Sequence, residues 1–181
     1  MFSILRQILH DGVLTEAPPD ADPELQAATR RLSDEIARRF RRSLFIREID
    51  AGSCNGCELE IHALGIPYYN VEAMGIKFTA SPRHADLLLV TGPVAKNMEV
   101  AVKRAYEATP EPKLVVATGD CGCTGGIFGE SYACCGRVSN VIPVDVSIPG
   151  CPPTPLRLIQ GILAAVAGSG DRVQESGDRE L

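Results

Sequence analysis

Four cysteines in three short motifs are the residues best placed to do chemistry in this chain. Cys54 and Cys57 stand in Gly-Ser-Cys-Asn-Gly-Cys-Glu, Cys121 in Gly-Asp-Cys-Gly-Cys-Thr-Gly-Gly, and Cys151 in Pro-Gly-Cys-Pro-Pro. Each motif follows an apolar run that reads as a β-strand, so loops at the ends of parallel strands can bring all four sulfurs together. Four thiolates are the donor set of a [4Fe–4S] cluster, one per iron, and that points to electron transfer. Zinc also takes four thiolates, and a single Cys-x-x-Cys pair is a common zinc element. Here the other two cysteines stand alone, one per strand end, rather than as a second pair. A thioredoxin-like dithiol at Cys54 and Cys57 would leave Cys121 and Cys151 without a role.

The neighbours of these cysteines suit an anionic, thiolate-held group. Cys57 falls at the start of a predicted helix, where free amides and the positive dipole end favour negative charge. The glycines at 52, 56, 122, 125, 126 and 150 let backbone amides approach sulfur. Pro149, Pro152 and Pro153 stiffen the chain around Cys151, although prolines have no N–H to offer. Cys123 lies two residues past Cys121 and can take its place as a ligand. Cys134 and Cys135 read as small buried residues. Glu58 and Glu60 read as first-turn acids that complement the helix dipole. His62 and His84 have no partners at ligand spacing and read as structural, and Asp145 reads as a hydrogen-bonding anchor for a loop.

The elements that must position the cysteines alternate between strand and helix. Strands are expected at Ser43–Ile49, Asn70–Ile76, Asp86–Thr91, Lys113–Thr118 and Val141–Ile148. Helices are expected from Cys57 to about Leu64, at Asn97–Ala108 and at Pro155–Ala167. The uninterrupted run Asp-Leu-Leu-Leu-Val-Thr suits a strand covered on both faces. This alternation implies an α/β, doubly wound parallel sheet, whose ligands sit at the carboxyl ends of the strands. All three cysteine motifs fall at such ends.

The sequence divides into an N-terminal helical extension (1–43), a cluster domain (44–167) and a disordered tail (168–181). In the extension, Phe2, Leu5, Ile8 and Leu9 share one face of a short helix that suits packing on a partner. A Pro- and Asp-rich linker spans 15–23, and Asp22-Pro23-Glu24 reads as the start of a second helix. That helix carries the stripe Leu25, Leu32, Ile36 and Phe40, and is read either as solvated or as a docking arm. Seven arginines and no lysine fall between Arg30 and Arg47. The tail, Gly-Ser-Gly and then mixed charges, lacks apolar periodicity.

Composition sets outer bounds. The chain has 181 residues, 45% of them hydrophobic, enough for one domain with a core. A net charge of −5 argues against nucleic acid as a partner. The first residues do not read as a signal peptide, and no apolar run is long enough to span a bilayer, so a cytoplasmic, reducing location is expected. There, seven clustered cysteines suit metal rather than disulfides. No phosphate-binding loop or flavin motif is present.

The motifs also carry a resemblance. Cys-Asn-Gly-Cys-Glu, Gly-x-Cys-x-x-Thr-Gly-Gly and Val-Pro-Val-Asp-Val-x-Ile-Pro-Gly-Cys-Pro-Pro-Thr-Pro resemble the small subunit of membrane-bound, energy-converting group 4 [NiFe] hydrogenases, the formate hydrogenlyase type. That family is related to the cluster-bearing 20 kDa subunit of respiratory complex I. The resemblance covers roughly residues 44 to 167. The complex I branch has two adjacent cysteines in the first motif and the hydrogenase branch Cys-x-x-Cys, so Cys54-Asn55-Gly56-Cys57 sides with the hydrogenases. The resemblance implies a flavodoxin-like fold, one [4Fe–4S] cluster on Cys54, Cys57, Cys121 and Cys151, and Cys121 rather than Cys123 as the third ligand. It further implies an iron–sulfur subunit that is not catalytic alone. The implied partners are a [NiFe] hydrogenase large subunit, a ferredoxin-like iron–sulfur subunit and integral membrane subunits, with this chain peripheral at the inner face of the cell membrane. In that setting Glu58 is a candidate proton relay. Two alternatives remain: a complex I-like module passing electrons to quinone, and a zinc-stabilised structural subunit.

Overall fold

Five apolar runs assemble into a single sheet in a computed structural model, which describes residues 2–12 and 22–168. The strands are β1 (Leu44–Asp50), β2 (Ile76–Phe78), β3 (Leu87–Thr91), β4 (Leu114–Thr118) and β5 (Val146–Ile148). Their order is β2-β1-β3-β4-β5, and every neighbouring pair is parallel. That is the flavodoxin-type order of a doubly wound α/β fold. The central strand β3, Leu-Leu-Leu-Val-Thr, is buried at every position, because helices cover both faces of the sheet.

Period-two alternation splits the strand side chains between two cores. On one face Leu44, Ile46, Leu87, Leu89 and Val116 pack with helices α2 (Pro23–Phe40), α3 (Gly56–Ala63) and α6 (Pro155–Ala167). On the other, Ile49, Leu88, Val90, Val115 and Ala117 pack with Val102 of helix α4 (Glu99–Ala108) and with Val138. Each fully buried leucine or isoleucine contributes roughly 1.5–3 kcal/mol of transfer free energy, so these layers hold the sheet.

Two expected strands are shorter, and one helix is additional. Residues 70–75 are a run of turns, with Ala73 N–H donating to Asn70 O, Met74 to Val71 O and Gly75 to Glu72 O. Val71 and Met74 are buried, so their apolar pattern comes from turns that dip into the core; the strand starts only at Ile76. Residues 141–145 are likewise not strand. Val141 and Ile142 both donate to Val138 O, closing a short 3₁₀ turn, and Pro143 has no N–H for a ladder. A six-residue helix, α5 (Gly119–Thr124), follows β4 directly and was not expected.

Helix α2 starts as its sequence suggests: the Asp22 carboxylate accepts the Glu24 amide at 2.9 Å and Pro23 takes the first helical position. Its stripe of Leu25, Ala28, Leu32 and Ile36 is buried in the first core, against α6. Arg39 Nη1 donates to the carbonyls of Ala165 and Val166 at the end of α6, and Arg42 grips both oxygens of Asp86 at 2.9 and 2.6 Å. Helix α2 is therefore separate from the sheet along the chain but not in space, and two arginines of the basic segment hold the fold. Helix α1 (Phe2–Asp11) leaves Ile4 and Leu9 exposed. The side chains of Phe2, Leu5 and Ile8 lie outside the described residues, as do 13–21, which take in most of the expected linker at 15–23, and 169–181, nearly all of the expected tail. Among the described residues no helix is long and apolar enough to cross a membrane.

Candidate metal centre

Three strands deliver the cysteine motifs to one edge. β1 ends at Asp50, whose Oδ1 accepts the amides of Gly52 and Ser53 at 2.8 Å each and coils the chain toward Cys54. Ala51 N–H donates to Thr91 O and Ala95 N–H to Ala51 O, which fastens this loop to the end of β3. Asn55 is left-handed, and α3 then begins, with Cys57 in its first turn. β4 ends at Thr118 and α5 carries Cys121; β5 ends at Ile148 and Cys151 lies three residues on.

All four thiols are free; Cys54 and Cys151 are exposed, Cys57 and Cys121 half-buried. Burial pushes the Cys57 thiol up to about 12, helped by the charge of Glu58 and by Cys54, Cys121 and Cys151. Burial also raises Cys121, and Cys151 and Cys54 act in the same sense. Cys57 and Cys121 thus each feel the charge of cysteines from other loops. The glycines are matched to the sulfurs. A methyl group on Gly119 would stand 2.6 Å from Cys57 Sγ, and one on Gly126 would stand 2.8 Å from Cys121 Sγ. Both glycines have positive φ, 80° and 56°, which side chains resist. A methyl group on Gly56 would stand 3.5 Å from Cys54 Sγ and 3.9 Å from Pro152 Cβ, so the first and third motifs are neighbours. Among the described residues no three Cys, His, Asp or Glu side chains close on a single metal ion. Cys54, Cys57, Cys121 and Cys151 are the residues able to hold a sulfur-loving group at this edge.

The remaining candidates fall elsewhere. Cys123 turns inward: its thiol donates to Ala117 O at 3.6 Å, it packs on the second core, and burial pushes it up to about 11. Cys134 and Cys135 are half-buried rather than fully buried, and the Cys135 thiol donates to the Glu99 carboxylate at 3.4 Å. Asp145 is an anchor, as expected, its Oδ2 accepting the Val115 amide at 2.8 Å. His62 and His84 are exposed, and Glu60 is half-buried. Glu58 is not a solvated first-turn acid: only 7% of it is exposed, and neither carboxylate oxygen has a hydrogen-bond partner among the described residues.

Two residues escaped the sequence. Glu48 of β1 has a buried, unpartnered Oε1, and its carboxyl is raised by burial first and then by Glu58 and Asp50. Asp120 bonds across to the Cys151 loop, with its own N–H donating to Gly150 O at 2.9 Å and its Oδ1 accepting the Gly150 amide at 2.8 Å. Glu48 lies two residues from Ile46 and so shares its strand face, which only the known strand reveals; Asp120 gave no signal.

The fold is thus a doubly wound parallel sheet that carries four free thiols beyond the carboxyl ends of its strands. Residues 54–165 match the family described as NADH ubiquinone oxidoreductase, 20 Kd subunit, and the chain belongs to that family. It is 41% identical over 146 residues to formate hydrogenlyase subunit 7 of Escherichia coli (strain K12), covering 81% of this chain and 57% of that subunit. It is 44% identical over 140 residues to the "Probable membrane-bound hydrogenase subunit mbhJ" of Pyrococcus furiosus, covering 76% of this chain and 84% of the relative. A subunit of the NADH-quinone oxidoreductase of Desulfovibrio desulfuricans is 44% identical over 107 residues, 59% of this chain and 58% of that relative. The chain therefore spans little more than half the length of two of these relatives and most of the third. Among solved structures, a chain of the membrane-bound sulfane sulfur reductase, an archaeal respiratory membrane complex, superposes with a TM-score of 0.62 at 35% identity, over 75% of this chain and 74% of the other. These relatives are subunits of multisubunit oxidoreductase complexes.

Proposed function

We propose that the chain is the electron-transfer subunit of a membrane-associated, group 4 type [NiFe] hydrogenase complex. Cys54, Cys57, Cys121 and Cys151 would hold one [4Fe–4S] cluster, next to the nickel–iron centre of a partner large subunit. The observation that carries this reading is that three strand ends deliver four free thiols to the same edge of the sheet, with Gly119 and Gly126 leaving Cys57 Sγ and Cys121 Sγ clear. Four soft sulfur donors, glycines that keep methyl groups away from sulfur and free amides at the start of α3 fit a thiolate-held, anionic group. When bound, such a cluster supplies one-electron transfer. The chain's own part is to bind, orient and partly bury it, since burial and amide donors tune its potential.

Partners are supported by the surface beside the motifs. Leu59, next to the first motif, and Ile127, Phe128 and Tyr132, just beyond the second, are exposed, Ile127 and Tyr132 almost completely. Exposed large apolar side chains that flank these motifs along the chain suit coverage of that edge by another subunit. In this reading the large subunit covers that edge, Glu58 serves as its proton relay, and a ferredoxin-like subunit and integral membrane subunits complete the complex at the inner face of the cell membrane. Arg30, Arg31, Arg38 and Arg41, exposed on or just beyond α2, are the arginines suited to docking against a neighbour. The NADH-quinone oxidoreductase relative favours a second reading, a complex I-like module reducing quinone.

The test is metal analysis of the complex purified with its large subunit. Iron and acid-labile sulfide support the cluster, zinc in their place removes it, and nickel separates hydrogenase from quinone reductase. Single replacement of Cys54, Cys57, Cys121 or Cys151 by Ala is expected to abolish or convert the reduced-state EPR signal, whereas Cys123, Cys134 and Cys135 variants keep it. Loss in the Cys123 variant with retention in the Cys121 variant would overturn the ligand assignment.

A further inference from the structure

The same two-point contact occurs three times in this fold. Asp86 donates its N–H to Phe45 O and accepts the Phe45 amide on Oδ2, at 2.8 and 3.0 Å. Asp145 donates to Val115 O and accepts the Val115 amide on Oδ2, at 2.9 and 2.8 Å. Asp120 donates to Gly150 O and accepts the Gly150 amide on Oδ1, at 2.9 and 2.8 Å. In each case one aspartate uses its backbone and its side chain to occupy both polar groups of a single residue on a neighbouring segment. The first two sit just before β3 and β5, at the amino ends of the sheet. The third sits at the other end, one residue before Cys121 and one residue before Cys151.

Register explains the third. β4 and β5 pair Val116 with Val146 and Thr118 with Ile148, where the ladder stops. Asp120 and Gly150 are the next pair in that register, but Asp120 already belongs to α5. Its carboxylate supplies the acceptor that a continuing strand would have supplied with a carbonyl. Gly150 is fixed from its other side as well: its φ is 139°, and a methyl group there would stand 2.6 Å from Pro153 Cα.

We propose that Asp120 is a positioning residue that latches the Cys121 loop to the Cys151 loop and so sets the separation of two of the four sulfurs. The inference rests on the reading that these cysteines hold a cluster. It adds a residue that touches no sulfur through a side-chain bond but ties together the two residues that immediately precede ligands. Groups that orient metal ligands in this way matter to affinity nearly as much as the ligands do.

The experiment compares the purified complex with its D120A, D120N, D120E and D145A variants. Iron and sulfide content, the reduced-state EPR spectrum and the rate of iron loss to a chelator are measured. D120A removes the acceptor and is expected to lose iron about tenfold faster, with a shifted EPR line shape. D120N keeps an oxygen acceptor for the Gly150 amide and is expected to restore the rate to within about twofold. D120E keeps the charge but moves the acceptor by one methylene, so it is expected to retain iron with an altered EPR spectrum; it carries the test if D120A does not assemble. D145A removes the equivalent contact at the far end of β4 and β5 and is expected to lower the unfolding temperature with the EPR spectrum unchanged. An unsubstituted complex without iron and sulfide would remove the cluster reading itself. A loaded complex whose D120A and D120E variants keep the original rate and spectrum, or whose D120N variant behaves like D120A, would overturn the latch alone.

Discussion

The amino ends of β1, β3 and β4 open with Leu44, Leu87 and Leu114, the first two fully buried, and the aspartates beside them occupy backbone groups that the strands leave over. The carboxyl ends of the same strands run into Gly52, Gly92 and Gly119, all at positive φ, and into exposed or half-exposed thiols. One end is closed by branched side chains that need no partner. The other is kept clear of side chains and lined with donors. Stability and chemistry are thus separated along the strands, so damage to one end need not reach the other. Three substitutions test that separation.

The largest effect is expected from Gly119→Ala. Its methyl group would stand 2.6 Å from Cys57 Sγ at φ 80°, so the sulfur must move. Strain of this kind costs about 1–3 kcal/mol. Most of the iron is expected to be lost from the purified complex, with circular dichroism retaining the helical content. Full iron content in this variant would show that the carboxyl edge has slack. Gly161→Ala is the counterpart in the core beneath the last residue of β5. On α6 its methyl group would run into the Ile148 side chain, an overpacking that costs about 1–3 kcal/mol. A lowered unfolding temperature with iron content unchanged is expected; loss of iron would show that the two regions are coupled after all.

The smallest effect concerns pH. Burial acts to raise the Asp50 carboxyl, but the amides of Ser53 and Gly52 outweigh it and hold the group below its ordinary range. A depressed value in the folded state contributes stability that is complete above the unfolded carboxyl's value, about 4, and is lost as pH falls through the folded value. Asp50→Asn removes that contribution. The gap in unfolding temperature between the two proteins is therefore expected to be full at neutral pH and to close on acidification below about pH 4. A gap that stays constant through that range would show that Asp50 acts by shape alone.

Much of the fold was legible because its signals are local. Leu87–Thr91 is an unbroken apolar run bounded by loops, and Thr154-Pro155 announces the start of α6, where the Thr154 hydroxyl does accept the Arg157 amide. The order of the cysteine motifs indicated the family. Signals that depend on register or on distant packing were not legible. Gly119–Thr124 is helical although Gly-Asp-Cys-Gly-Cys-Thr has poor helix propensity, because it is held between β3, β4, β5 and the 3₁₀ turn at 138–140. Val71 and Met74 imitated a strand because a run of turns can bury isolated apolar side chains in a core. Glu58 reads as a surface acid until α3 is laid on the sheet, and the reach of Asp120 to Gly150 exists only once β4 and β5 have paired.

The clasp between α2 and α6 has a consequence for how the protein is made. Arg39 reaches carbonyls of Ala165 and Val166, 126 and 127 residues further along the chain. At a synthesis rate of roughly 5–20 residues per second, the side chains of Leu25, Leu32 and Ile36 wait on the order of ten seconds at the ribosome before their partners emerge. The domain therefore cannot close progressively from its beginning. Its first core is completed only once α6, the last described element, has emerged.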